Sequence, residues 1–196
     1  MLAEGGPYDH TQKVKLVTLG QLRREPSRLV SLGSLDVLVA AATAGELVLE
    51  RRPAAAAASG EEGGTAMFRH ETIALMQAER AADILQLRRA LADSSAVMPV
   101  VRRPESFWEN VTLGRGATAD IVLEDRAVST LHAELVLDSA AGQISIVDLG
   151  SSNGSFVNRQ QMQPHCPQAL RSGDCLRLGQ TVLYFVSNSM LANLSQ

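Results

Sequence analysis

Residues 148–156 read Asp148-Leu149-Gly150-Ser151-Ser152-Asn153-Gly154-Ser155-Phe156, and upstream of them lie Leu113-Gly114-Arg115 and Ser129-Thr130-Leu131-His132-Ala133. These loops interrupt short segments of alternating apolar residues at 97–103, 111–115, 121–123, 133–137, 144–149, 155–158, 175–178 and 181–186. Each segment is bounded by Gly, Pro, Asp, Asn or Ser. A period of two over a few residues, with turn chemistry between, marks half-buried strands, and many of them in series mark an antiparallel sandwich or barrel. Two facing sheets would bury alternate residues such as Leu135, Leu137, Ile144, Ile146, Leu176 and Leu178.

A scaffold of strands this short carries its chemistry on the end loops. Arg115 follows Gly114 at the end of a strand, where its guanidinium can reach past the sheet edge. Ser129 brings a hydroxyl in a polar loop, and Asn153 an amide able to donate and accept. A planar fork of donors, a hydroxyl and a carboxamide suit an oxyanion together with the backbone of an extended peptide. Taken singly, Arg115 reads as a surface charge and Ser129 as a turn hydroxyl, and the bare residues suggest an anion without specifying one.

In this order and spacing, Gly114-Arg115, Ser129-x-x-His132 and Asn153-Gly154 resemble a forkhead-associated (FHA) domain. Asp120-Ile121-Val122-Leu123 resembles the family's strand before the serine loop, Asp148-Leu149-Gly150-Ser151 its lead into the asparagine, and Leu170-x-x-Gly173-Asp174 its late turn. The resemblance covers residues 97–187. It implies a mainly β fold, an eleven-stranded antiparallel β-sandwich whose loops at one end bind a phosphothreonine peptide. The implied phosphopeptide-binding residues are Arg115, Ser129, Thr130, Ser152 and Asn153, with Arg115 and Ser129 on the phosphate and Asn153 holding the peptide through its main chain. Gly114, His132 and Gly154 would support the site, and selectivity would come from residues near Arg126 and Ala127 and from 159–166. Two positions depart from the family pattern. Thr130 stands where a charged or amide side chain often assists the phosphate, and Asn158-Arg159 stands where Asn-Gly makes the tightest hairpin turn.

Of the 196 residues, 45% are hydrophobic and 20% charged, and 18 basic against 21 acidic residues give a net charge of −3. This is a folding composition. No cluster of Lys and Arg displaces counterions from a polyanion, so nucleic acid is not an expected partner. The start of the chain has no signal-peptide pattern, and the longest near-apolar run, 37–45, is far shorter than the roughly 20 residues of a membrane span. A cytoplasmic protein with no membrane partner is expected. Cys166 and Cys175 then read as reduced thiols, and His165-Cys166 lacks a second ligand pair for a metal.

Before the sandwich, Leu19, Leu22, Leu29 and Leu32 carry a loose helical spacing broken by Pro26, and 35–42 and 47–49 read as extended. Residues 51–65, with five consecutive alanines and Ser-Gly-Glu-Glu-Gly-Gly, have a linker composition. Ile73, Met76, Ile84, Leu87 and Leu91 share one helical face. The expected division is an N-terminal α/β extension (1–50), a flexible linker (51–70), an amphipathic helix (71–94), the FHA-like sandwich (95–189) and a tail (190–196). With about three heptads, broken at Arg80 and Ala81, the helix is expected to pack on its neighbour rather than to form a coiled coil, so a monomer is favoured.

The function expected is a phosphothreonine-binding adaptor in Ser/Thr kinase signalling. Its partners are a phosphothreonine-containing protein and a component of the kinase pathway, and it needs no cofactor. The alternative is a phosphate-independent assembly module or oligomerisation scaffold, for which Thr130 speaks. An enzyme is not expected. Ser129, His132 and Asp148 lack a Gly-x-Ser-x-Gly elbow, and no phosphate-cradling Gly-x-x-x-x-Gly-Lys or His-Glu-x-x-His motif is present.

Overall fold

The structure, a computed structural model, describes residues 17–25, 27–28, 36–41, 84–104, 106–138 and 142–195. Among these residues twelve strands form two sheets. The first runs β1 (Val17–Thr18), β3 (Ala96–Pro99), β2 (Val37–Ala40), β12 (Thr181–Val186), β11 (Cys175–Leu178), β8 (Ser155–Val157) and β9 (Gln160–Gln161). The second runs β10 (Gln168–Ala169), β7 (Gln143–Asp148), β6 (Ala133–Asp138), β4 (Val111–Gly114) and β5 (Ile121–Val122). All pairings are antiparallel except β4 with β5, where Leu113 faces Ile121 in a parallel register.

Between the sheets, Leu38, Leu113, Ile121, Val128, Leu135, Ile146, Leu176, Leu178, Leu183 and Phe185 make one core. Leu137, expected inside, is 61% exposed. It sits near the end of β6, opposite Ile144.

Two parts of the chain outside the expected sandwich pack against it. The N-terminal stretch does not stand apart from the sandwich: β2 lies inside the larger sheet, pairing with β12 (Leu183 to Ala40, Phe185 to Leu38) and with β3 (Leu38 to Met98). Its run Val37-Leu38-Val39 is apolar on both faces because both are covered. Nor is the C-terminus a free tail, since Asn188–Leu194 is a helix that buries Met190, Leu191 and Leu194.

That helix belongs to a second core on the outer face of the larger sheet. Here α1 (Leu19–Arg24), α2 (84–90) and α3 (Asn188–Leu194) cover Val37, Val39, Val97, Cys175, Val182, Tyr184 and Val186 with Leu19, Leu22, Leu87, Leu91, Met190, Leu191 and Leu194. Thr18 opens α1 with a capping box, its hydroxyl accepting from the Gln21 amide while the Gln21 side chain accepts from the Thr18 amide. The helix ends at Glu25, the residue before Pro26, a position that disfavours helical backbone. Arg88 donates to the Asn193 carbonyl, Arg23 donates to the Leu194 carbonyl, and Arg23 also pairs with Asp93. The linker and the extended segment at 47–49 lie outside the described residues, as does the amphipathic helix before residue 84.

Candidate functional site

The end of β4 and the loop that leads into β6 are joined main chain to main chain. The Arg115 amide donates to the Ser129 carbonyl and the Gly116 amide to the Thr130 carbonyl, each at 2.9 Å, and the His132 amide donates back to the Leu113 carbonyl at 2.9 Å. So close an approach requires a glycine at 114, where a Cβ would stand 2.2 Å from the Thr130 carbonyl oxygen. This zipper places Arg115 and Ser129 side by side at one rim, although 14 residues separate them in the sequence. Arg115 is exposed; its Nε donates to the Val128 carbonyl at 3.2 Å, which leaves the two terminal nitrogens directed away from that anchor.

The third loop arrives through Asp148. Its buried carboxylate accepts from the Gly150 and Ser151 amides (2.9 Å each), from the Ser151 hydroxyl (2.7 Å) and from the Ser155 hydroxyl. Burial would raise this carboxyl, but the Ser151 and Ser155 hydroxyls and the two amides outweigh it and hold it below the usual carboxylate value. The loop so shaped carries Ser152 and Asn153, both exposed, to the rim. The Ser152 amide donates to the Ser129 hydroxyl at 3.1 Å, and the Asn153 side-chain amide donates to the Ala127 carbonyl at 2.7 Å. Asn153 therefore uses its side chain to fix one loop against another. Gly154 follows with φ +72°.

His132 is fully buried beneath these loops, and its Nδ1 accepts from the Ser129 amide at 3.0 Å. Burial pushes its pKa below the ordinary value, the nearby Asp148 charge offsetting part of the shift. The ring is thus a neutral acceptor with its proton on Nε2. That nitrogen meets no full hydrogen bond, although the Gly154 carbonyl favours its proton. Thr130 is exposed at the rim, and its methyl group lies over Gly116.

All five residues expected to bind ligand, Arg115, Ser129, Thr130, Ser152 and Asn153, thus share one end of the sandwich, with Gly114, His132 and Gly154 beneath or beside them. The aspartates that shape the loops were not read as site residues in the sequence, where Asp120 and Asp148 stood only within longer motifs and Asp125 passed unremarked. Asp120 accepts from the Thr112 amide and hydroxyl and from the Arg103 amide, and Asp125 accepts from the Ala127 amide. For Asp148 the signal was legible, an Asp followed by Gly-Ser at a strand end being an Asx-type turn. Among the described residues no group of His, Cys, Asp or Glu could hold a metal ion. Nor is any helix among them long and apolar enough to cross a membrane.

Residues 111–179 match the FHA domain family model. The oxoglutarate dehydrogenase inhibitor of Corynebacterium efficiens is 32% identical over 129 residues, which are 63% of this chain and 87% of that protein. The chain belongs to the FHA-domain family. As a member of this family of binding modules it is not an enzyme. A second FHA relative, the glycogen accumulation regulator GarA of Mycolicibacterium smegmatis, is 34% identical over 103 residues, half of this chain and 62% of that one. A solved structure from an analysis of phosphothreonine-dependent FHA domain interactions covers 77% of this chain and 95% of its own, with 18% identity and a TM-score of 0.41. The family match does not include β1, β2, β3 or β12, so four strands of the larger sheet lie outside it.

Proposed function

We propose that this FHA protein is an adaptor that reads phosphothreonine in a partner of a Ser/Thr kinase pathway, through Arg115, Ser129, Thr130, Ser152 and Asn153. The observation that carries the reading is the Arg115 guanidinium. It is exposed at the rim, anchored through Nε on the Val128 carbonyl, and in no ion pair with a carboxylate among the described residues. A phosphate supplies what this fork lacks: about −1.5 to −2 charge and three acceptor oxygens. The Ser129 hydroxyl accepts from the Ser152 amide, and its proton, which otherwise makes only a long 3.5 Å contact with the Ser152 hydroxyl, can turn to the same group. Ser152 and Asn153 lie beside it to receive the peptide main chain. Three or four hydrogen bonds to a charged phosphate, about 1.5–3 kcal/mol each, offset an association cost of at least ~4 kcal/mol. The balance is of the order of micromolar binding, a strength suited to a reversible signal.

The names of the relatives make oxoglutarate dehydrogenase the first partner to try, and a cytoplasmic location follows from such a partner. The test is titration of the full chain with a phosphothreonine peptide and its unphosphorylated twin. Binding of the phosphorylated form alone, lost in Arg115→Ala and Ser129→Ala, is the expected result. Equal binding of the two peptides would overturn the proposal.

A further inference from the structure

Beneath the rim the contacts close into a ring. Asp125 accepts from the Ala127 amide at 2.8 Å, which shapes the turn that leads into Ser129, and the Val128 amide closes the same turn onto the Asp125 carbonyl at 3.0 Å. The other oxygen of Asp125 reaches the opposite sheet. It accepts from the Gln180 amide at 3.0 Å, in the turn between β11 and β12, and from the hydroxyl of Thr181, the first residue of β12, at 2.9 Å. That turn is pressed hard against the serine loop, since a Cβ on Gly179 would stand 2.5 Å from the Ala127 carbonyl oxygen. From the Gly179 carbonyl the ring continues to the Arg177 guanidinium at 3.2 Å. This guanidinium lies 3.6 Å over the Phe156 ring, three residues after Asn153. Asn153 then returns to the Ala127 carbonyl.

The inference rests on the phosphothreonine reading. We propose that Asp125 is a positioning residue for phosphate recognition: by tying the serine loop to the β11–β12 turn across the two sheets, it sets where the Arg115 guanidinium and the Ser129 hydroxyl stand relative to Ser152 and Asn153. The route from Asp125 to the ligand is short. Ala127 holds Asn153, Val128 holds the Arg115 Nε, and Ser129 is the next residue. Asp120 binds within the smaller sheet and its loops, and Asp148, which reaches Ser155 at the start of β8, does so from the end of β7 rather than from the serine loop. A site that must meet three phosphate oxygens and a peptide backbone at once needs its donors held to a fraction of an ångström.

Two variants of the full chain separate this role from bulk stability. Asp125→Asn keeps an oxygen for the Ala127 amide but offers an NH2 group where the Gln180 amide needs an acceptor. Thr181→Val removes the tie from the far side without touching the serine loop. The probe is a fluorescent phosphothreonine peptide, the tightest binder of an oriented library, at a temperature where every variant is folded. Asp125→Asn is expected to weaken binding roughly tenfold and Thr181→Val roughly threefold, and the pair together about as much as Asp125→Asn alone, because both cut one connection. In the peptide-free protein the Arg115 Nε–H resonance is expected to move toward that of an unanchored arginine in Asp125→Asn, a change that loss of stability alone would not produce. Binding within twofold of the parent in both variants, with Arg115→Ala abolishing it, would overturn this role and leave the phosphothreonine reading standing. Unchanged binding in all three would overturn both. If Asp125→Asn does not fold, Thr181→Val decides the matter by the same criterion.

Discussion

Replacing Arg115 with lysine tests the site while keeping its charge. In the structure the guanidinium is divided between two tasks: Nε is committed to the Val128 carbonyl at 3.2 Å, and the two terminal nitrogens remain for a ligand. A lysine has a single ammonium at the end of its stem, so it can serve the carbonyl or the phosphate but cannot present a planar fork to two phosphate oxygens. The loss is about one charge-assisted hydrogen bond, about 1.5–3 kcal/mol, which converts to a roughly 10- to 150-fold rise in Kd. Arg115→Ala also removes the charge and is expected to exceed that loss. Arg115 is exposed, so either change is expected to alter folding stability by less than about 1 kcal/mol. The assay is calorimetric titration of a phosphothreonine peptide, repeated from about 50 to about 300 mM salt, with unfolding curves run alongside. Lysine is expected to keep the salt dependence of the parent while shifting affinity, whereas alanine flattens it. A lysine variant that binds within twofold of the parent would refute the argument that the fork, rather than the charge, is what the rim provides.

Four further outcomes follow from the same geometry. Gly114→Ala must push the Thr130 carbonyl away from a Cβ that would stand 2.2 Å from it, breaking the bonds from Arg115 and Gly116. A loss of about 2–4 kcal/mol in denaturant unfolding is expected, together with loss of peptide binding. Arg159 sits at φ +68° in the two-residue turn between β8 and β9, so Arg159→Gly is expected to raise stability by roughly 0.5–1 kcal/mol, read from the thermal midpoint. Leu191→Ala, in the outer core, is expected to cost about 2–5 kcal/mol and to leave the Kd of the folded protein unchanged in titration. With pH, the signs all run one way. Asp120 and Asp148 titrate below the ordinary carboxylate value, so their contribution is present above about pH 4 and is lost as pH falls through their folded values. His132 is likewise depressed, so the neutral ring supports Ser129 above its ordinary pKa of 6.5 and gives way below it as pH falls through its folded value. Phosphopeptide affinity is therefore expected to fall as pH drops through the titration of the phosphate near pH 6, with a further loss once pH passes below the depressed folded value of His132, and a titration series from about pH 7 down to the acid limit of folding reads both.

What could be read from the sequence follows physical lines. The sandwich was legible where one face of a strand meets core and the other meets water, as in β6 and β7, because alternation reports a half-buried surface. Strands of two residues such as β9 and β10 carry no period at all, and Gln160-Gln161 looks like any polar loop. The place of β2 was hidden for the opposite reason. Val37-Leu38-Val39 is apolar throughout, which does not distinguish a central strand from a buried helix, and its partners lie 58 and more residues away. The rim residues stood out because Arg115, Ser129 and Asn153 fall at fixed spacings around glycines. Asp125 did not, since an aspartate in a turn is common and its reach to Thr181 depends on how two sheets stack.

The strand Val37–Ala40 is clasped on both edges, by β3 on one side and β12 on the other. Its chain leaves beside the point where the backbone re-enters the sheet, the Val39 position facing Val97. The connection between them is therefore a closed excursion: it starts and finishes at neighbouring places, so lengthening it costs only slowly growing loop entropy. The same arrangement makes the N-terminal piece a plug rather than a lead. A protein severed between residues 42 and 83 would consist of two polypeptides, the smaller docked as a guest strand in a slot that the larger one leaves open, and mixing the separately made pieces is expected to restore phosphopeptide capture.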